Sequence, residues 1–177
     1  MIFENTKLQG AVIIYPERLE DERGFFARVW CQKEFEKYGL KAELAQCNIS
    51  YNKKRGTLRG MHFQQEPFQE AKLVRCTAGS ILDVIIDLRS KSTTFRQWIG
   101  VELTSENRTM LYVPQGFAHG YLTLSDNVEV CYQVSEFYTP GAESGVRWDD
   151  SAFKIDWPIT DHLIISKKDK SWADFIS

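Results

Sequence analysis

An all-β protein folded as one domain over residues 1–177, either a sandwich or a closed barrel, is what the sequence predicts. The first observation behind this is a succession of strand-length segments rich in Val, Ile, Phe and Tyr, separated by Gly, Asn, Asp, Ser or Pro. The second is how little helical spacing the chain contains. The third is capacity: 177 residues that are 43% apolar and 13% aromatic suffice for one sizeable core, and low-complexity stretches are few.

Taken in order, residues 10–15 (GAVIIY) read as a short strand and 24–30 (GFFARVW) as an aromatic-rich one, with the polar run 20–24 as the turn between them. Phe35 and Tyr38 stand at helical spacing within 32–38, which predicts a short surface helix. Beyond it, segments 72–78, 80–88, 97–103, 109–113, 120–123 and 128–137 each run a strand's length. In 82–87 (LDVIID), Asp83, Ile85 and Asp87 share one face and Leu82, Val84 and Ile86 the other. A barrel with a polar-lined mouth would place carboxylates among aliphatics in this way, whereas a solvated Asp83 face is the plainer alternative.

Charge and cysteine content exclude several classes. The 22 basic and 24 acidic residues nearly cancel, so no bulk charge drives binding to nucleic acid or a membrane surface. Cys31, Cys47, Cys76 and Cys131 form no CxxC pairs and neighbour apolar residues, the pattern of buried free thiols. The start, MIFE, lacks a basic region followed by an apolar one, and no apolar run is long enough to span a bilayer, so a reducing cytoplasm is the expected setting. No glycine-rich phosphate loop or dinucleotide fingerprint is present.

Two of the three histidines carry the functional signal. His62 lies in 58–64 (LRGMHFQ) and His119 in 113–120 (VPQGFAHG), both apolar, strand-forming and flanked by Gly. A titratable imidazole in such surroundings costs desolvation unless it has a partner or a task, and two such segments suggest one pocket.

Nine segments in order, 21–26 (DERGFF), 46–50 (QCNIS), 58–64, 72–75 (KLVR), 83–89 (DVIIDLR), 114–120, 147–150 (RWDD), 155–158 (IDWP) and 166–169 (SKKD), make the chain resemble the dTDP-4-dehydrorhamnose 3,5-epimerase family along nearly its whole length. The resemblance implies a cupin-type jelly roll, a homodimer, no cofactor, and inversion of carbons 3 and 5 of dTDP-4-keto-6-deoxy-D-glucose in deoxysugar biosynthesis for cell-surface polysaccharides or glycosides. Such chemistry needs a base, an enolate stabiliser and an acid on the opposite face.

By the same resemblance His62 is the base, Asp169 its partner carboxylate, Lys72 the cation near the sugar carbonyl, and Tyr132 the acid. His119 falls near the same centre, and the inward alternation of 82–87 offers Asp83 as a hydrogen-bond partner for it or for Lys72. Tyr138 matches an aromatic that stacks on the nucleotide base, sharing a face with Tyr132 if the strand continues. Arg23 and Arg59 match phosphate-binding arginines, whose forks suit diphosphate oxygens. Phe26, Gln46, Asn48, Glu143 and Lys168 match other substrate contacts, and Arg23 or Phe26 would serve the neighbouring subunit's site.

The chain departs from the family pattern at Arg28, where an acidic residue is usual, and at Cys47, Ile49, Gln133 and Phe137, usually aspartate, histidine, lysine and tyrosine. These departures leave open a carbon-3-only or carbon-5-only epimerase. Pro114-x-Gly116-x-x-His119 also matches half of a metal-binding cupin signature, so a metal-dependent enzyme using His62, His119 and Glu66 is a second reading. A non-catalytic nucleotide-sugar-binding barrel is a third.

Overall fold

The computed structural model describes residues 1–175. In chain order the elements are β1 (Ile2–Asn5), β2 (Val12–Tyr15), β3 (Arg18–Asp21), β4 (Gly24–Ala27), α1 (Gln32–Lys37), β5 (Gln46–Asn52), β6 (Thr57–Gln64), β7 (Lys72–Ala78), β8 (Ser80–Asp87) and β9 (Trp98–Thr104). They continue with β10 (Met110–Val113), β11 (Phe117–Thr123), β12 (Val128–Val134), β13 (Glu143–Gly145), β14 (Ile164–Ile165) and α2 (Lys167–Lys170). Among the described residues no helix is long and apolar enough to cross a membrane.

Two sheets face each other, as the all-β reading anticipated. One runs β1-β2-β10-β7-β12-β5, the other β13-β6-β11-β8-β9, with β14 parallel to β6; β3 and β4 form a separate hairpin. Alternation explains what lies between the sheets. Val74, Leu111, Val128 and Val130 from the first meet Ile81, Ile85, Leu103, Phe117 and Tyr121 from the second in one core cluster. The opposite faces are covered too. Phe35 of α1 and Ala42 pack on Val12, Ile14, Leu73 and Met110, while Val146, Phe153 and Trp157 of the C-terminal segment pack on Leu58, Val84, Ile86 and Leu122. Strands buried on both faces read as continuous apolar runs, which is why 80–88 and 117–123 carry so few polar side chains.

The register between β6 and β11 shifts at the centre of the fold. His119 pairs with His62, but Tyr121 pairs with Arg59, so β6 carries one extra residue there. Residues three apart in a regular strand point to opposite faces. The bulge instead turns both Arg59 and His62 inward, while Leu58 and Met61 pack on the outer face. Gly60 and Gly120 make this possible: a Cβ on Gly60 would lie 2.6 Å from Gly120 Cα, and Gly60 has φ +125°.

The face containing Asp83 and Asp87 is not solvated, since both are fully buried. Asp87 anchors the turn after β8. Its carboxylate accepts hydrogen bonds from Arg89 N–H (3.0 Å), Arg89 Nε (2.8 Å) and Thr94 Oγ1 (2.7 Å). Burial alone would push this carboxyl up, but the Arg89, Ser92 and Thr94 bonds outweigh it and hold it at about 2. A folded-state value below the unfolded one stabilises the protein above about pH 4, and that stability is lost as pH falls towards 2. The expected contribution at neutral pH is about 2 kcal/mol. Denaturant unfolding of wild type and Asp87→Asn checks it: the gap should be present at pH 7 and shrink in acid, and equal stabilities at pH 7 would contradict it.

The cysteine expectation needs correction. All four are free, but only Cys76 is buried; Cys47 is exposed on the outward side of the edge strand β5. Burial pushes the Cys76 thiol up to about 11, so it behaves as core packing.

Candidate active site

Two adjoining clefts, of about 570 and 410 Å³, open between the sheets: the first runs along β6 from Thr57 to His62, and the second lies where β6 and β12 end and β7 begins. His62, Lys72, Tyr132 and Glu143 line both. His62 comes from one sheet and Tyr132 from the facing one, so the two side chains approach the shared space from opposite walls.

A carboxylate far along the chain supports His62. The Nε2 of His62 lies 2.7 Å from Asp169 Oδ1, and the other Asp169 oxygen accepts the Gly60 N–H at 3.3 Å. The C-terminal segment reaches this point because β14 pairs with β6, Ile164 beside Thr57 and Ile165 beside Leu58. Ser166 then caps the one-turn helix α2 by accepting the Asp169 N–H at 3.0 Å. Asp169 is buried, which by itself raises a carboxyl. The bonds with His62, Gly60 and Ser166 overcome this and hold it below the usual aspartate range, ionised at neutral pH. An ionised partner fixes the imidazole's orientation and stabilises its protonated form.

His119, directly across from His62, bonds Asp83 Oδ1 at 2.7 Å from Nε2. Asp83 is therefore the partner of His119 and not of Lys72. Lys72, nearly buried, pairs with Glu70 at 2.9 Å. The Tyr132 phenol is pushed up, first by burial and then by Tyr121 and Glu70, with Arg59 acting the other way; it is protonated at neutral pH.

Further along the cleft, Arg59 Nε donates to Asn52 Oδ1 (2.7 Å), Asn52 Nδ2 donates to the Tyr121 hydroxyl (3.1 Å), and that hydroxyl is 2.8 Å from Ser50 Oγ. This chain, with a 3.5 Å bond from Arg59 Nη2 to the Tyr51 carbonyl, fixes the guanidinium at the cleft wall. Tyr138 is exposed; its N–H donates to Gln46 Oε1 (2.6 Å) and its hydroxyl to Glu143, which also pairs with Lys168.

Comparison with known proteins fits this arrangement. The sequence model of the dTDP-4-dehydrorhamnose 3,5-epimerase family matches residues 5–176. The chain belongs to that family. It is 48% identical to the dTDP-4-dehydrorhamnose 3,5-epimerase of Methanothermobacter thermautotrophicus, covering 96% of this chain and 92% of the relative. The Bacillus anthracis dTDP-4-dehydrorhamnose 3,5-epimerase, solved with TDP and PPi bound, superposes with a TM-score of 0.95 at 40% identity, over 98% of this chain and 99% of that one. A Legionella pneumophila dTDP-6-deoxy-D-glucose-3,5-epimerase in complex with dTDP-4-keto-L-rhamnose gives 0.89 at 37% identity, over 95% and 89%. The protein is accordingly an isomerase of this family.

Of the substrate and catalytic positions anticipated from sequence, all but Arg23 and Phe26 line one of the two clefts of this family member. Those two sit on the exposed β3–β4 hairpin, where Arg23 is held by Asp21 (2.6 Å). Tyr138 does not share a strand face with Tyr132: β12 ends at Val134, and the Tyr138 segment is instead positioned by Gln46 and Gln64. The departures at Cys47, Ile49 and Gln133 fall on strand positions alternating with Asn48 and Tyr132, and none lines either cleft. Arg28 pairs with Glu34 (2.8 Å) and also lies outside both clefts.

Among the described residues no three His, Cys, Asp or Glu side chains cluster as metal ligands, and Glu66 lines neither cleft. The metal-dependent reading thus lacks its donor set. Sequence reasoning missed Ser50, Asn52, Glu70 and Tyr121. For Ser50 and Asn52 a signal existed, because Gln46, Asn48, Ser50 and Asn52 alternate as polar residues along one face of β5.

Proposed function

We propose that this family member inverts carbons 3 and 5 of dTDP-4-keto-6-deoxy-D-glucose to give dTDP-4-keto-L-rhamnose, with His62 as base and Tyr132 as acid. The observation that carries this reading is the placement of the His62–Asp169 pair and the Tyr132 phenol on facing sheets of one cleft. The 4-keto group acidifies the protons on its neighbouring carbons. His62 takes such a proton, the C–H electron pair moves into the enolate, and Lys72 and His119 stabilise the developing oxyanion. Tyr132 then delivers its proton to the opposite face of the same carbon, inverting it. Solvent reprotonates the tyrosinate and relieves His62, and the second carbon follows the same course. The substrate's own carbonyl is the electron sink, so the scheme requires no cofactor.

The nucleotide lies across Gln46, Asn48 and Tyr138, with the thymine on the exposed Tyr138 ring and Arg59 and Lys168 towards the diphosphate. The active form is a cytoplasmic homodimer acting on a soluble nucleotide sugar. Its β3–β4 hairpin, with Leu19 and Phe26 about two-thirds exposed in the single chain, extends to the partner and brings Arg23 and Phe26 to the partner's cleft.

Proton NMR of dTDP-4-keto-6-deoxy-D-glucose with the enzyme in deuterated water tests the reading. Deuterium should appear at carbons 3 and 5. Label at one carbon only would make the protein a single-site epimerase, and no exchange would exclude this substrate.

A further inference from the structure

Lys72 is a buried ammonium, and a buried charge persists only when paired and held. Its partner is Glu70, whose side chain is itself largely buried and 2.9 Å away. The other Glu70 oxygen accepts a 2.7 Å hydrogen bond from Gln64 Nε2. Gln64 is in turn fixed on every side: it is buried, its Nε2 also contacts the carbonyls of Phe68 (3.0 Å) and Phe137 (3.1 Å), and its Oε1 accepts the Thr139 N–H at 2.8 Å. Glu70 is therefore a carboxylate clamped at one oxygen and offered to Lys72 at the other. The rest of the Lys72 ammonium is left to face the cleft, which Glu70 also lines.

We infer that Glu70 is a positioning residue of the epimerisation, holding the Lys72 ammonium at the site of the developing oxyanion and keeping a negative charge beside Tyr132. The inference rests on the function proposed above and names a residue that the resemblance did not assign. Two geometric features carry it. The clamp through Gln64 fixes the direction in which Lys72 can donate, and an enolate stabiliser works only if it is preorganised. Glu70 and Tyr132 also line the same cleft, where the carboxylate opposes ionisation of the phenol. The titratable and charged groups that line the clefts with Tyr132 are Glu70 from the loop before β7, Lys72 from β7, His62 and Arg59 from β6, His119 and Tyr121 from β11, Glu143 from β13, Lys168 and Asp169 from α2, and Tyr138 beyond β12. Among these, Glu70 and the Tyr121 phenol raise the Tyr132 value and Arg59 lowers it.

Glu70→Gln and Glu70→Asp test the inference, since glutamine keeps the size and one acceptor but removes the charge. In Glu70→Gln, kcat should fall about tenfold or more while KM for the nucleotide sugar changes less than about threefold, because the loss concerns the transition state and not nucleotide binding. The alkaline limb of its kcat–pH profile should move to lower pH, since the phenol loses the charge that opposed its ionisation. Glu70→Asp should recover part of the rate and return the limb towards wild type. Thermal melting and dTDP affinity report whether each variant is folded. A purely structural Glu70 would lower the folded fraction without moving the limb. A Glu70→Gln enzyme whose limb coincides with wild type, or whose kcat is within twofold of it, overturns the inference. Wild type that exchanges no deuterium overturns the proposed function instead, and the two failures are told apart by running wild type alongside.

Discussion

Replacing His62 with asparagine is expected to lower kcat by about 10²–10⁴-fold, the range that a positioned general base contributes. Asparagine fits within the histidine's space, and although its amide stands where Nδ1 does and does not reach Asp169 as Nε2 does, Asp169 keeps its Gly60 N–H and Ser166 bonds, so β6 and α2 should keep their places. What it lacks is a site that accepts a proton near neutral pH. His62 is about one-third exposed at the cleft wall, which leaves its ring open to a substrate carbon and to solvent. KM should change little, since Gln46, Asn48, Arg59 and Tyr138, the residues proposed to hold the nucleotide, are untouched. Asp169→Asn should fall in the same direction by a smaller factor: the hydrogen bond survives, but the charge that stabilises the imidazolium does not. Steady-state kinetics of the two variants check both statements, and a His62→Asn enzyme within tenfold of wild type would remove His62 from the role of base.

The largest stability effect is expected at Gly60. A Cβ there would stand 2.6 Å from Gly120 Cα and 2.9 Å from the His119 carbonyl oxygen, both backbone atoms that no side-chain rotation can move aside. At φ +125° an L-residue is also strained. Relief requires β6 and β11 to part at the bulge that points Arg59 and His62 into the cleft. Gly60→Ala should therefore cost at least about 3 kcal/mol, lowering Tm by roughly 10 °C and activity with it. Gly39 is the internal control. It has φ +76° after α1, with nothing within 4 Å of an added Cβ. Gly39→Ala thus carries the conformational cost alone, about 1–2 kcal/mol. Thermal melts of the pair separate backbone strain from strand contact, and equal losses would show that the close approach of Gly60 to Gly120 contributes nothing.

Much of the fold was legible because period-two alternation is a local property. Segments 72–78 and 80–88 were found nearly to the residue, and the inward aim of Asp83 followed from alternation, although its pairing with His119 over Lys72 needed three-dimensional placement. β6 was harder to see. Its bulge breaks the alternation at the point where Arg59 and His62 come to one face, so a regular strand reading separates the two residues. The hairpin strand β3 reads RLED and is exposed throughout, which leaves no apolar pattern to detect.

Asp169 shows the limit most clearly. In SKKD it looks like surface charge, and its place beside His62 depends on two residues of parallel pairing, Ile164 and Ile165, too few to register as a strand. Only the family resemblance marked it. The expectation for Tyr138 failed for the opposite reason: extending a recognised strand past Val134 assumed regularity where the chain turns away to be held by Gln46 and Gln64. Glu70 carried no signal at all, because it lies in the loop between β6 and β7, where no periodicity says that its side chain turns back to Gln64.

The central claim is that a base on one sheet and an acid on the other serve opposite faces of the same carbon, and Tyr132→Phe tests it most directly. Incubated with dTDP-4-keto-6-deoxy-D-glucose in deuterated water and followed by proton NMR, the variant should retain exchange at carbons 3 and 5 with the configuration kept. His62 would still remove each proton and return a deuteron from solvent to the face it came from. Inverted product at the wild-type rate would contradict the account, because it would show that the second proton does not come from Tyr132.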